Sequence, residues 1–397
     1  SRGAFKNSGL TEVILKEGVM NLSNDSFDGS KLLKKVTFPT TMKTISGFSN
    51  TGIKEIVFTE GAEPESVSDF AFANCDSLET ITLPNSIKRI GRGAFQYCDT
   101  LQSIILPNVI DSINDGTFRE CKSLESIVIP QSVKGIRSNA FFKCITLQKV
   151  ELSSGLIEIQ PFAFYRCEKL EDINLPSTLT SIGHDCFHRT NISSITIPEG
   201  VTTLDYSTFR KCHSLKSVKL PASLTKISNP ITHNYQVDDP DPNLEYGDHY
   251  IFEHSSGAFY DCINLETVDF GQAAITEIDY YSFSSCPKLE AVDLSATKLT
   301  HISDYAFGGD SLRIIKFPTT LESIGIGAFS GTKVEELVFP ANLKTIENEA
   351  FTGCQKIRSV DLSATSLTTI GSWFSSDSLR TVKLPETVTT LANYAFS

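Results

Sequence analysis

The sequence contains no apolar run approaching the roughly 18 residues of a membrane span. It carries no secretory leader pattern. CxxC pairs, a glycine-rich phosphate loop after a strand, and a nucleophile–base–orienter arrangement are all missing, so the common catalytic and cofactor chemistries have no residues to carry them. We therefore expect no enzyme and no cofactor. Positive charge is also scarce, with 35 Lys and Arg against 47 Asp and Glu and a net charge of −12. Such a chain is repelled by phosphate backbones and anionic lipid heads, which argues against nucleic-acid partners and membrane insertion. Disorder is excluded by the opposite test. At 40% hydrophobic and 21% charged, the chain has ample apolar surface for a core.

What is present is repetition. Phenylalanine recurs at Phe5, Phe27, Phe48, Phe72, Phe95, Phe118, Phe141, Phe164, Phe187, Phe209, Phe259, Phe283, Phe307, Phe329, Phe351, Phe374 and Phe396, at spacings of 21 to 24 residues with one gap of 50. Each anchor but the last is followed by L-x-x-I-x-L, usually closed by Pro, as in LQSIILP from Leu101 and LESIVIP from Leu124. Alternating apolar residues predict a strand with one buried face, and the proline, unable to donate, ends it. A second apolar pair follows, such as Ile110 and Ile113, then a polar turn. The AFxxC segment at each anchor is short, and the expectation is one helical or 3₁₀ turn. A unit of about 23 residues cannot bury its own apolar face, so successive units must stack into a parallel sheet and a continuous core.

Ten cysteines raise the question of disulfides. Nine stand three residues after an anchor (Cys75, Cys98, Cys121, Cys144, Cys167, Cys212, Cys262, Cys286 and Cys354), and Cys186 directly precedes Phe187. Ser8, Thr51, Thr190, Asp310, Thr332 and Asp377 fill the same place in turns whose link to the strand is one residue shorter. The regularity predicts a ladder of buried reduced thiols acting as small hydrophobes. Pairing between neighbouring rungs stays open as the alternative, although parallel side chains approach each other poorly for it. Metal binding by these residues is disfavoured, because a ligand set must converge on one point.

The joint recurrence AFxxCxxLxxIxLPxxLxxIG resembles the BspA-type leucine-rich repeat over essentially the whole chain. The resemblance implies a right-handed curved solenoid of about 16 repeats, α/β in class but mostly β, with its parallel sheet on the concave face. It also implies an extracellular or cell-surface binding or adhesion role, with a protein or glycan ligand and a monomeric chain. A structural spacer presenting another domain is the alternative. On this reading residues 1–397 form one array. Because SRGAF and NYAFS at the two ends fall inside the pattern, we expect a piece of a longer protein. Three copies depart from the pattern, lacking Pro and gaining a residue: DFGQAAI from Asp269, DLSATKL from Asp293 and DLSATSL from Asp361. In another, a deletion before Phe374 accompanies the sole tryptophan, Trp373, which either fills the resulting gap or stands out as a binding anchor.

Two places offer contact surface. One is an insertion loop, residues 228–256, in which Tyr235, Tyr246, Tyr250 and Phe252 are interleaved with acids and His233, His249 and His254. Its run of Asp239, Asp241, Asn243 and Glu245 resembles a Ca²⁺ loop but places Leu244 where glycine is needed, so no metal site is expected. The other is the outward position of each strand, from Leu15 and Val57 through Ile105, Val128 and Glu151 to Lys383. Ile105 and Val128 are adjacent in the stack and should escape burial, forming a small apolar contact patch. His184, Asp185 and His188 cluster around Phe187 and are read as turn residues. Sequons at Asn21, Asn24 and Asn191 bear on function only in a eukaryotic source.

Overall fold

Three-residue strands with the burial order exposed, buried, exposed recur through the chain, as at Ser103–Ile105 and Ser126–Val128. The computed structural model describes residues 3–227, 257–309, 311–374 and 376–396. These fall into two units, Ser1–Ile192 and Ser193–Ser397.

In each unit most turns contribute two short strands, and all pairing among the described residues is parallel. In the first unit the L-x-x-I-x-L segments form one row of strands. Glu12–Ile14 pairs with Lys35–Phe38, Thr80–Thr82 with Ser103–Ile105, and Ser126–Val128 with Lys149–Glu151. The second apolar pair forms another row, from Ser112–Ile113 through Gly135–Ile136 and Glu158–Ile159 to Ser181–Ile182. The second unit repeats this, with Ser194–Thr196, Ser217–Lys219 and Thr267–Asp269 in the first row and six strands from Thr203–Leu204 to Thr345–Ile346 in the second. The fold is a parallel-strand β-solenoid of about 15 turns.

The AFxxC edge is not helical, which corrects the sequence expectation. Every second amide there leaves its own turn: Gly93, Phe95 and Tyr97 donate to the carbonyls of Asp115, Thr117 and Arg119 in the next turn, at 2.9, 2.9 and 2.7 Å. The alternate amides of Ala94, Gln96 and Cys98 close tight turns onto the carbonyls of Gly91, Gly93 and Phe95. A helix would keep all of these donors within the segment. The stacked neighbour offers carbonyls in register, and backbone groups leaving water must be paired somewhere. The chain reaches this arrangement by turning left-handed at Gly93 (φ 57°) and Tyr97 (φ 58°), and at the same two places in other turns, such as Gly116 and Glu120. A left-handed residue every fourth position cannot propagate a right-handed helix.

The anchors form one aromatic file in each unit. In the first, neighbouring rings from Phe5 to Phe187 stack at centroid distances such as 5.4 Å for Phe72 and Phe95 and 5.8 Å for Phe95 and Phe118. In the second, Phe209 stacks on Phe259 at 5.4 Å, and the file continues to Phe396. Each such pair adds about 0.5–1.5 kcal/mol beyond area burial.

All ten cysteines are buried free thiols. They do more than fill space. The Cys121 Sγ–H donates to the Phe95 carbonyl of the preceding turn at 3.1 Å, and Cys98, Cys144, Cys167 and Cys262 make the same bond to Phe72, Phe118, Phe141 and Phe209. Thr51 and Thr190, which replace cysteine in shorter turns, donate instead to their own anchors, Phe48 and Phe187. A hydroxyl placed just before the second apolar pair builds a parallel file. Ser86, Ser132 and Thr178 donate to Pro64, Ile110 and Leu156. The recurring Ser or Thr was the sequence signal for it.

The three copies without proline have a different stop. The Asp293 carboxylate accepts from the Ser295 amide and hydroxyl, Asp361 does the same with Ser363, and Asp269 accepts from the Gly271 amide. A side chain bonding its own backbone two residues on closes the turn that proline closes elsewhere.

Candidate binding surface

The outward residue of a first-row strand is the third one, since the second points into the core. In the first unit these residues are Ile14, Thr37, Val57, Thr82, Ile105, Val128 and Glu151, fixed by register: Ile14 opposite Thr37, Thr37 opposite Val57, Thr82 opposite Ile105 and Val128 opposite Glu151. In the first turn the outward residue is Ile14, not Leu15. Val13 pairs with the buried Val36, which leaves Ile14 as the exposed member.

Ile105 is 64% exposed and Val128 61%. The first strand position of the same turns is also uncharged, with exposed Ser103 and Ser126, and Thr80 in the turn before. At the first and third strand positions three consecutive turns thus carry only Thr, Ser, Ile and Val, with exposed Glu79 and Glu125 directly before the first and the last of these strands. Ion pairs bound the patch on both sides, Lys35 with Glu55 at 2.9 Å and Lys149 with Glu151 at 2.6 Å.

The same strand position in the second unit is built differently. Lys219 lies opposite Asp269, Asp293 opposite Lys316, and Asp361 opposite Lys383. The latter two pairs close at 2.7 and 2.8 Å. The Lys316 ammonium and the Ser295 donors hold the Asp293 carboxyl down at about 2, and Lys383 and Ser363 do the same for Asp361. Val338, 72% exposed, is an isolated aliphatic residue in this position, which by itself is ordinary surface.

Trp373 is buried, at 4% exposure. It occupies the place before the anchor that is Ala94 or Ala163 elsewhere, packs edge-on to Phe374, and lies against Gly371, where any Cβ would meet its Nε1 at 2.4 Å. Of the two sequence readings, filling the deletion is the one its burial supports, and it has little surface to offer as a binding anchor. Tyr235, Tyr246, Tyr250 and Phe252, with the rest of the insertion loop, lie outside the described residues.

His184, Asp185 and His188 lie in a turn, as expected, and all three are buried. The Asp185 carboxylate lies 3.1 Å from His184 Nδ1 and 3.2 Å from His188 Nδ1. Burial pushes this carboxyl up, but the two histidine hydrogen bonds outweigh it and hold the group below its ordinary value. An ionised carboxylate can only accept, so both Nδ1 atoms carry protons. Residue type alone gave no sign that this turn is covered.

The sequence profile of the BspA type leucine-rich repeat region matches the chain in six copies, over residues 1–110, 46–160, 135–238, 244–325 and 276–397. The chain belongs to this family. Among solved structures, a leucine-rich repeat protein from Bacteroides ovatus is similar at 20% identity, over 96% of this chain and 75% of that one, with a TM-score of 0.53. At that identity the likeness concerns the fold. A leucine-rich cell surface protein from Faecalibacterium prausnitzii matches at 17% identity over 94% of this chain and 88% of its own, with a TM-score of 0.39. A leucine-rich repeat protein from T. pallidum matches at 25% identity over 47% of this chain and 72% of its own, with a TM-score of 0.31. No curated protein matches the chain in sequence. Among the described residues no helix is long and apolar enough to cross a membrane.

Proposed function

We propose that this chain is a non-catalytic protein-binding module of a cell surface or secreted protein, and that the patch around Ile105 and Val128 on the first unit's strand face is its contact surface. Membership of a leucine-rich repeat family supports an interaction role. The observation that carries the reading is the contrast between the two units. A spacer has no reason to vary its faces. Here one strand face leaves Ile105 and Val128 bare side by side between flanking ion pairs, while in the other unit the same position carries two charge pairs and a lone exposed aliphatic residue, Val338. Exposed aliphatic side chains side by side lower solubility and persist where a partner uses them.

The free cysteines are compatible with an extracellular location. Burial pushes the Cys286 thiol up to about 12 and also raises Cys98, Cys121, Cys144, Cys167, Cys186, Cys262 and Cys354, so their thiolates, which would start disulfide exchange, are scarce. At Cys75 burial is outweighed by hydrogen bonds with Cys98 and Thr51, and that thiol lies below its ordinary value.

The test is an array of matrix proteins and glycans probed with the whole chain, with Ile105→Asp/Val128→Asp, and with a deletion of Pro230–His254. The patch variant is expected to lose the wild-type signals at unchanged thermal stability. Signals that survive in the patch variant refute this surface, and signals lost only in the deletion move the contact to the insertion loop.

A further inference from the structure

Beyond the patch, in the direction of rising residue number, the first unit's strand face becomes acidic. Glu125 precedes the Val128 strand. The next turn carries Glu151, and the one after it carries Glu171 and Asp172, with Asp172 bridged in parallel to Lys149. All four carboxylates are exposed. The cations nearest in the chain are Lys149, already held by Glu151 at 2.6 Å, and the exposed Lys169, two residues before Glu171. Glu125, Glu171 and Asp172 have no ion-pair partner among the described residues. On the far side of these strands stand Pro130, Gln131, Ser153, Ser154, Pro176 and Ser177, which add no charge.

Resting on the binding-module reading above, we infer that this face takes an extended polypeptide segment that is aliphatic in one half and basic in the other. Its aliphatic side chains would cover Ile105 and Val128, and its lysine or arginine side chains would reach Glu171 and Asp172. The dimensions fit. Three strand spacings of about 4.8 Å separate the Ile105 turn from the Asp172 turn, which is roughly 14 Å, or four to five residues of extended chain. Neither half suffices alone. Two aliphatic side chains give little affinity against the cost of association, and exposed carboxylates in water attract cations weakly. Together they define a polarity that an acidic or wholly polar segment does not match.

The experiment titrates three blocked ten-residue peptides into the full chain by calorimetry. The first alternates valine with serine in one half and lysine with serine in the other. The second carries glutamate for lysine, and the third serine for valine. The first peptide should bind at least about tenfold more tightly than either control. Ile105→Ser/Val128→Ser and Glu171→Gln/Asp172→Asn should each weaken it by about tenfold or more at unchanged thermal midpoint, and only the second pair should flatten its salt dependence. If the lysine and glutamate peptides bind alike and both are lost in the Ile105/Val128 variant, the basic partner is wrong while the module reading stands. Equal binding of the serine-for-valine peptide overturns the inference as well. If no peptide responds to the Ile105/Val128 variant, both fail.

Discussion

The thiol file makes a prediction whose sign separates two accounts of the same residue. Cys121 has no exposed surface, and its Sγ lies 3.1 Å from the Phe95 carbonyl oxygen, which also accepts the Cys98 amide at 3.3 Å. In Cys121→Ala the chain loses one buried heavy atom, about 0.8 kcal/mol of transfer free energy. A residual cavity of roughly 20 Å³ at about 24 cal/mol per Å³ adds about 0.5 kcal/mol. The lost donor adds about 0.5–1 kcal/mol, kept small because the carbonyl retains its amide partner. The total is about 2 kcal/mol. In Cys121→Ser the shape is nearly kept and a donor remains. It can reach Phe95, or turn to its own anchor Phe118 as Thr51 turns to Phe48, and the cost falls to about 1 kcal/mol. If the thiol were only a small hydrophobe, serine would bury an unsatisfied hydroxyl and cost about 1–3 kcal/mol more than alanine. Urea unfolding of the full chain, followed by circular dichroism at equal m-values, reads the order. Alanine more stable than serine refutes the donor account.

Two further outcomes follow from the second unit. The Asp293 and Asp361 carboxyls sit at about 2 in the folded chain against an ordinary value of 3.8. A depressed folded value contributes stability above the unfolded value and loses it as pH falls through the folded one. The thermal midpoint should therefore drop between about pH 4 and pH 2, and Asp293→Asn/Asp361→Asn should show a shallower drop; an unchanged slope refutes the assignment. Gly309 stands where turns such as that of Phe95 carry a larger residue, beside a cavity of about 10 Å³ also lined by Cys286 and Leu312. A Cβ there meets nothing closer than the Cys286 amide at 3.9 Å. Gly309→Ala should stabilise by about 0.4–1 kcal/mol, mainly by restricting the unfolded chain, and a lower thermal midpoint would show that the site is tighter than this.

The period of Phe, Cys and apolar pairs was enough to place the strands, the aromatic file and the buried thiols. In a stacked array each position meets its own equivalents in the neighbouring turns, so the repeat states its contacts along with its elements. Ile105 and Val128 were legible for the same reason, since a three-residue strand with a buried centre leaves its third residue outside. What the repeat could not state depends on who competes for a group or covers it. Neighbouring carbonyls, invisible within one turn, draw the Phe95 and Tyr97 amides out of the helical turn the segment would otherwise form. The Phe95 carbonyl makes Cys121 a donor, and Ser295 makes Asp293 a turn stop. Trp373 is hidden because Gly371 leaves room for its ring, and the turn that carries His184 and His188 is buried around one carboxylate, which its place in the repeat did not show. Sequence fixes which side chains recur. Only the packed turns decide which hydrogen bonds those side chains and their backbone make, because each donor has acceptors both in its own turn and in the next.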